Sequence, residues 1–295
     1  MTSIAFFTDV ANELGESPLW DPRSDWLWWV DICRNRILAA DAAGEIMRAW
    51  DYDSPVCAIG LAPDGLFAAF SDHFALIGPD GSARRIAAPP IGVGAIRFND
   101  GKADRQGRFL CGTMQHGGQD EALAAVWQID PAGRVRQVEQ GLRLTNSICF
   151  SPCGRWLFLA DSLDAVIRRY PYDPATGDLG AASRFFDCAA IGAIPDGATV
   201  DSEGRLWVAL VTSAQIACIS PSGALLRRID VPVPFPTCPA FGGPGLGTLY
   251  LTSIADSGHK LKSDAPEAGR TLAIAGLDAR GLAEAVCPFD NHTWN

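Results

Sequence analysis

The chain has 295 residues, about half apolar and a fifth charged, so it can bury a sizeable core and does not read as disordered. A formal net charge of −10 and a pI near 4.8 argue against nucleic acid or an anionic membrane as partner, because the long-range field repels phosphate. No run approaches the roughly 20 apolar residues of a membrane span, and the opening Met1-Thr-Ser-Ile-Ala-Phe-Phe-Thr-Asp-Val lacks a signal peptide's basic start.

Nine cysteines, scattered from Cys33 to Cys287 without a Cys-x-x-Cys pair, fit reduced thiols packed as small hydrophobes. A cytoplasmic location is therefore expected.

In chain order, a short strand near Ile4–Phe7 comes first. One unit then recurs, a polar or Gly/Pro turn followed by an aromatic-rich apolar run. It reads Ser24-Asp-Trp-Leu-Trp-Trp-Val-Asp, then Asp64-Gly-Leu-Phe-Ala-Ala-Phe, then Gly107-Arg-Phe-Leu-Cys-Gly-Thr. It returns as Gly154-Arg-Trp-Leu-Phe-Leu-Ala-Asp, Gly204-Arg-Leu-Trp-Val-Ala-Leu and Gly247-Thr-Leu-Tyr-Leu-Thr-Ser. From Gly65 onward the turn glycines stand 42, 47, 50 and 43 residues apart. That is the period of a propeller blade of four short strands.

Later strands follow in each unit, such as Arg36-Ile-Leu-Ala-Ala-Asp, Ala125-Val-Trp-Gln-Ile-Asp, Ile167-Arg-Arg-Tyr-Pro-Tyr-Asp and Gln215-Ile-Ala-Cys-Ile-Ser. No window of a dozen residues carries helical periodicity, which excludes bundles and βαβ folds. The pattern predicts an all-β, six-bladed β-propeller forming one domain over 1–295, its N-terminal strand completing the last blade. The longest unpatterned stretches are Gly92–Ile96, Gln115–Glu121, Pro232–Pro236 and Asp256–Gly269, the last with His259, Lys260 and Lys262.

Four polar residues recur at one phase of this repeat. Asn99, Asn146 and Asp196 each precede a turn glycine (Gly107, Gly154, Gly204) by eight positions, and Glu16 precedes Ser24 by the same interval. The stretch before each turn is the natural innermost strand, so all four side chains are expected at one mouth of the central channel. The equivalent positions in units 2 and 6 are Cys57 and Pro239, which leaves one side of the axis without oxygen ligands. A turn or capping role explains one such residue; four in register point to a site.

Two carboxylates and an amide oxygen suit one divalent metal ion, with Ca, Mg, Mn, Zn and Fe(II) all compatible. Such an ion polarises a carbonyl, and a carboxylate beside it can take a proton from attacking water. Arg97 stands two residues before Asn99, hence on the same strand face, where a guanidinium suits a hydroxyl-rich or anionic ligand. His116 lies in a Gly-rich loop that could line the pocket. There is no Gly-x-Ser-x-Gly elbow, no His-x-x-x-His spacing, no P-loop and no dinucleotide fingerprint.

Gly15-Glu-Ser-Pro-Leu-Trp, Arg97-Phe-Asn-Asp-Gly-Lys-Ala-Asp, Cys111-Gly-Thr-Met, Leu144-Thr-Asn-Ser, Ala160-Asp-Ser and Pro195-Asp-Gly-Ala-Thr-Val-Asp occur in that order, followed by Phe241-Gly-Gly-Pro and Leu251-Thr-Ser. Together they resemble the SMP-30/gluconolactonase/luciferin-regenerating-like family over nearly the whole chain. The resemblance implies a six-bladed propeller with one divalent metal in its channel. It implies Glu16, Asn146 and Asp196 as ligands, Asp196 also as general base, and Arg97 and Asn99 as substrate contacts. The implied activity is hydrolysis of a small-molecule sugar lactone of the gluconolactone type. Some members carry a Glu shortly after Gly-Thr-Met; this chain reads Met114-Gln-His-Gly-Gly, so Gln115 or His116 would stand in its place. The same residues leave two alternatives open: an esterase or phosphoesterase, and a metal-binding propeller without catalysis.

Overall fold

Aspartates four residues before an arginine close many of the turns that cut the chain into strands. In Asp104-Arg-Gln-Gly-Arg108 the Asp104 carboxylate accepts the N–H groups of Gln106 and Arg108, both at 2.8 Å, and the Arg108 guanidinium at 2.9 Å. Asp130–Arg134 and Asp201–Arg205 repeat the device. The glycine before each arginine has φ of 85°, 77° and 80° (Gly107, Gly133, Gly204), a conformation that a β-carbon disfavours.

The computed structural model describes residues 2–91, 96–116 and 121–289. The unpatterned stretches 92–95 and 117–120, and His292, lie outside the described residues.

These turns yield six four-stranded antiparallel sheets. Their innermost strands are Gly15–Asp21, Val56–Ala62, Ile96–Ala103, Thr145–Phe150, Pro195–Val200 and Pro236–Gly242. Each innermost strand packs beside the next, and the last packs beside the first, so the ring is closed. The sixth blade takes its outer strand from the N-terminus: Ser3–Ala11 pairs with Arg270–Ala275, Phe6 opposite Leu272. The expected closure at Ile4–Phe7 is therefore present, and longer. Among the described residues the only helices are two three-residue 3-10 turns, and none is long and apolar enough to cross a membrane.

Inner strands such as Gly15–Asp21 and Val56–Ala62 are buried along their whole length because neighbouring blades cover both faces, whereas the outer strand Ile46–Asp51 is almost wholly exposed. The apolar core lies between the blades, and one cluster runs continuously through blades 1, 2 and 3. Trp20, Leu27 and Trp29 meet Phe7 and Tyr250 between blades 1 and 6, and Leu110 and Val126 meet Leu157 and Tyr170 between blades 3 and 4. Burial of apolar surface at about 25 cal/mol per Å² drives this packing. All nine cysteines are free, and seven are buried.

Every innermost strand carries a β-bulge where it nears the channel mouth. The pairing register breaks between Glu16 and Leu19, Val56 and Ala58, Phe98 and Gly101, Asn146 and Cys149, Pro195 and Ala198, and Pro236 and Pro239. Bulges re-aim side chains, and here the bulged residues also tie blade to blade. Ser17 Oγ accepts the Ile59 N–H at 2.9 Å, Asp100 accepts the Ile148 N–H at 2.7 Å, and Ser147 Oγ donates to the Asp196 carbonyl. At Gly197 a β-carbon would lie 2.5 Å from Cys238 Sγ, so only glycine lets blade 6 approach blade 5 there.

The bulges correct one expectation. Cys57 does occupy the channel position of blade 2, but Pro239 lies past the bulge of blade 6, paired with Leu251. The bulged residues are Thr237 and Cys238, because the following connection contains the extra turn Pro244–Leu246 and counting back eight from Gly247 stops short of them. The Thr237 hydroxyl bonds the Gly15 carbonyl (2.5 Å) and Thr252 (2.8 Å), so it closes the ring rather than facing a ligand.

Candidate active site

Glu16, Arg97, Asn99, Asn146 and Asp196 all line one cavity of about 210 Å³ at the channel mouth. They come from blades 1, 3, 4 and 5 and are brought together by the shared bulge position.

A chain of hydrogen bonds orients the amides. The Arg97 guanidinium donates to the Phe98 carbonyl at 2.7 Å and to Asn99 Oδ1 at 3.0 Å, and it reaches Cys57 Sγ at 3.9 Å. Asn99 Nδ2 donates to the Thr145 carbonyl and to Asn146 Oδ1, both at 2.9 Å. Asn146 Nδ2 in turn donates to Ser162 Oγ at 2.9 Å, and Ser162 donates to the Pro195 carbonyl at 2.6 Å. This relay crosses three blades and ends on the residue before Asp196. It fixes Asn146 with Oδ1 toward Asn99 and Nδ2 toward Ser162, and leaves that oxygen one lone pair.

The two carboxylates are in the opposite condition. Glu16 accepts only its neighbour's N–H, from Ser17 at 3.0 Å, and among the described residues no ion pair reaches Glu16, Asp196 or Asp100. Burial, and then repulsion from Asp196 and Asp100, holds the Glu16 carboxyl well above its ordinary range. Burial and Asp100 do the same to Asp196, and burial lifts Asp100 to about 6. Arg97 opposes these shifts for Glu16 and Asp196 but does not cancel them.

Buried charge without a partner is costly unless a cation joins it. Among the described residues no cluster of three or more His, Cys, Asp or Glu side chains is arranged to hold a metal. An amide oxygen is the further donor the cavity offers beside the two carboxylates, and the oriented Asn146 carbonyl is placed to be one. This set of two carboxylates and one amide oxygen fits a hard or borderline divalent cation.

His116 is not among the cavity-lining residues. It stands exposed just beyond the strand Phe109–Gln115, where Arg97 and His259 add to partial burial in holding its pKa down. Its neighbour Gln115 does line the cavity, and among the described residues its Oε1 is buried without a hydrogen-bond partner. The segment after Asp256 contributes Ser257, His259, Lys260 and Leu261 to the lining. It is a built turn, pinched by the Asp256–Lys262 ion pair at 2.7 Å and by the Ser257 N–H on the Leu261 carbonyl at 2.8 Å.

Sequence reasoning missed the aliphatic part of the lining. Leu14, Leu144 and Ile194 each stand two residues before a channel residue, the same offset that singled out Arg97 before Asn99. Two-residue alternation along a strand was the signal that would have found them.

A closed six-bladed ring with buried oxygens converging at one channel mouth defines the class of protein. Residues 14–255 match the SMP-30/Gluconolactonase/LRE-like region, and the chain belongs to that family. It is 33% identical over 252 residues to a pentonolactonase of Haloferax volcanii, covering 85% of this chain and 84% of that one. It is also 33% identical over 283 residues to a 6-deoxy-6-sulfogluconolactonase of Pseudomonas putida, covering 92% and 94%. Among solved structures, the calcium-binding protein regucalcin from Agrobacterium tumefaciens superposes with a TM-score of 0.90 at 26% identity, covering 96% of this chain and 97% of that one.

Proposed function

We propose that the protein is a metal-dependent lactonase that opens a sugar-acid lactone to its hydroxy acid. The observation that carries this reading is the pair of buried carboxylates, Glu16 and Asp196, set without an ion-pair partner among the described residues beside the oriented amide of Asn146. The two lactonase relatives and the calcium-binding structural neighbour support it.

Glu16, Asn146 and Asp196 would hold the divalent cation. When bound, that ion supplies positive charge that favours the ionised carboxylates and polarises a carbonyl oxygen. Asp196 accepts a proton from the attacking water. The water oxygen bonds to the lactone carbonyl carbon, the ring C–O bond breaks, and the ring oxygen takes the proton back from Asp196 to leave as the hydroxyl of the open acid. Arg97 donates to substrate oxygens on the blade 3 side, Asn99, whose two amide donors are engaged, accepts a substrate hydroxyl through Oδ1, and Gln115 and the mouth residue His116 meet the substrate's outer end. The free cysteines support a cytoplasmic site of action.

A panel of sugar lactones, read by acid release with and without chelator, tests the reading. Turnover that chelator removes and added divalent metal restores is expected. Turnover of simple esters alone, or metal binding with no turnover, would overturn it.

A further inference from the structure

The cavity has two halves of different chemistry. Its floor presents Glu16, Asn146 and Asp196 with Arg97 and Asn99 beside them, and much of its wall is aliphatic, with Gln115, Arg143, Thr212, Ser257, His259 and Lys260 also in the lining. Leu14, Leu144 and Ile194 rise from blades 1, 4 and 5, and Val211 and Ile254 continue the wall from the ends of the second strands. Leu261 adds to it from the turn after Asp256. The main chain of the wall is engaged as well: the carbonyls of Leu14, Leu144 and Ile194 accept the N–H groups of Ile32, Ser162 and Val211 at 2.9, 2.9 and 3.0 Å.

At about 210 Å³ the cavity is smaller than the roughly 300–1,000 Å³ of drug-sized pockets, so it suits one small ring. A fully hydroxylated hexonolactone carries hydroxyls around its perimeter. Those set against the aliphatic side chains, rather than against the polar lining residues, would lose water and gain no partner, which is unfavourable.

Resting on the lactonase reading above, we infer that the substrate is a deoxy sugar-acid lactone. Its carbonyl and remaining hydroxyls meet the polar floor, and its terminal methyl and ring C–H face meet Leu14, Leu144, Ile194 and Val211.

Two substrate pairs differ only in the 6-hydroxyl: L-rhamnono- against L-mannono-1,4-lactone, and L-fucono- against L-galactono-1,4-lactone. The deoxy member of at least one pair should have the higher kcat/KM by about 10- to 100-fold, the range in which an apolar pocket rejects an added hydroxyl. Val211→Thr keeps the side-chain volume and adds one hydroxyl, and Ile194→Asn adds an amide. Each, checked for folding by circular dichroism, should narrow that ratio at least about threefold. No preference for the deoxy member in either pair, or an unchanged ratio in both folded variants, overturns the inference and leaves the lactonase reading standing. Failure to hydrolyse these four lactones and gluconolactone alike overturns the lactonase reading itself.

Discussion

The two ends of the channel handle buried charge in opposite ways. At the open mouth, Glu16 and Asp196 are buried with no ion-pair partner among the described residues, and a cavity lies over them. At the far end Lys102, on the same blade 3 strand as Asn99, holds Glu284 at 2.5 Å. There the chain's last described segment crosses the ring. The Ser202 N–H bonds the Arg280 carbonyl, and the Cys287 N–H bonds Leu61, both at 2.8 Å, while Phe289 packs on Phe67 with ring centroids 5.0 Å apart. Compensated charge closes the fold at one end; uncompensated charge at the other needs a ligand. The difference separates an end whose charge is balanced within the fold from the end where we place the chemistry.

The largest effect should come from the open end. Asp196→Ala is expected to lower lactone hydrolysis by about 10³-fold or more, through loss of the base and of one cation oxygen. Its circular dichroism should match the parent's, because no ion pair is lost. Turnover within a few-fold of the parent would remove Asp196 from the mechanism.

Lys102→Met probes the closed end. It leaves Glu284 without its cation and should cost about 3–5 kcal/mol in urea unfolding, with kcat/KM per folded molecule little changed. Adding Glu284→Leu should recover most of that loss, since the uncompensated carboxylate goes with it. A loss of activity at unchanged stability would mean that the two ends are not separate in role.

The smallest effect concerns Asp100, which sits between them. Burial lifts its carboxyl from 3.8 to about 6. Below the lower value both folded and unfolded chains hold the proton, and this group leaves stability unchanged. Between the two values the unfolded chain has released the proton and the folded one keeps it, so stability falls as pH rises, by about 3 kcal/mol at most. Above about 6 both are ionised and the full loss remains. In chelator-treated protein, Asp100→Asn should flatten the fall in thermal midpoint between pH 4 and pH 6.5 while still accepting the Ile148 N–H. An unaltered pH profile would rule out Asp100 as its source.

Much of this was legible in the residues. The turn glycines marked the blades because left-handed turns need them, and Gly107 and Gly204 do adopt that conformation. The polar phase put Glu16, Asn99, Asn146 and Asp196 in one place because repeated units on a ring bring equal positions to the axis. His116 stood out by type and sits outside the lining, since the strand that carries Gln115 inward ends before it. Pro239 misled because counting from the turn assumes equal connections, and blade 6 has a longer one. The aliphatic wall went unread because Leu14, Leu144 and Ile194 look like ordinary core residues until their strand face is known.

By itself the sequence determined the blade period, the ring and the phase of its polar residues, because these depend on local turn chemistry and strand alternation repeated along the chain. Only the tertiary structure decided which of those residues share a cavity and which carboxylates lack a counter-charge. It also decided how the Arg97–Asn99–Asn146–Ser162 relay orients an amide across blades. Those properties depend on distances between strands far apart in the chain, set by where each bulge falls and how closely one blade packs on the next.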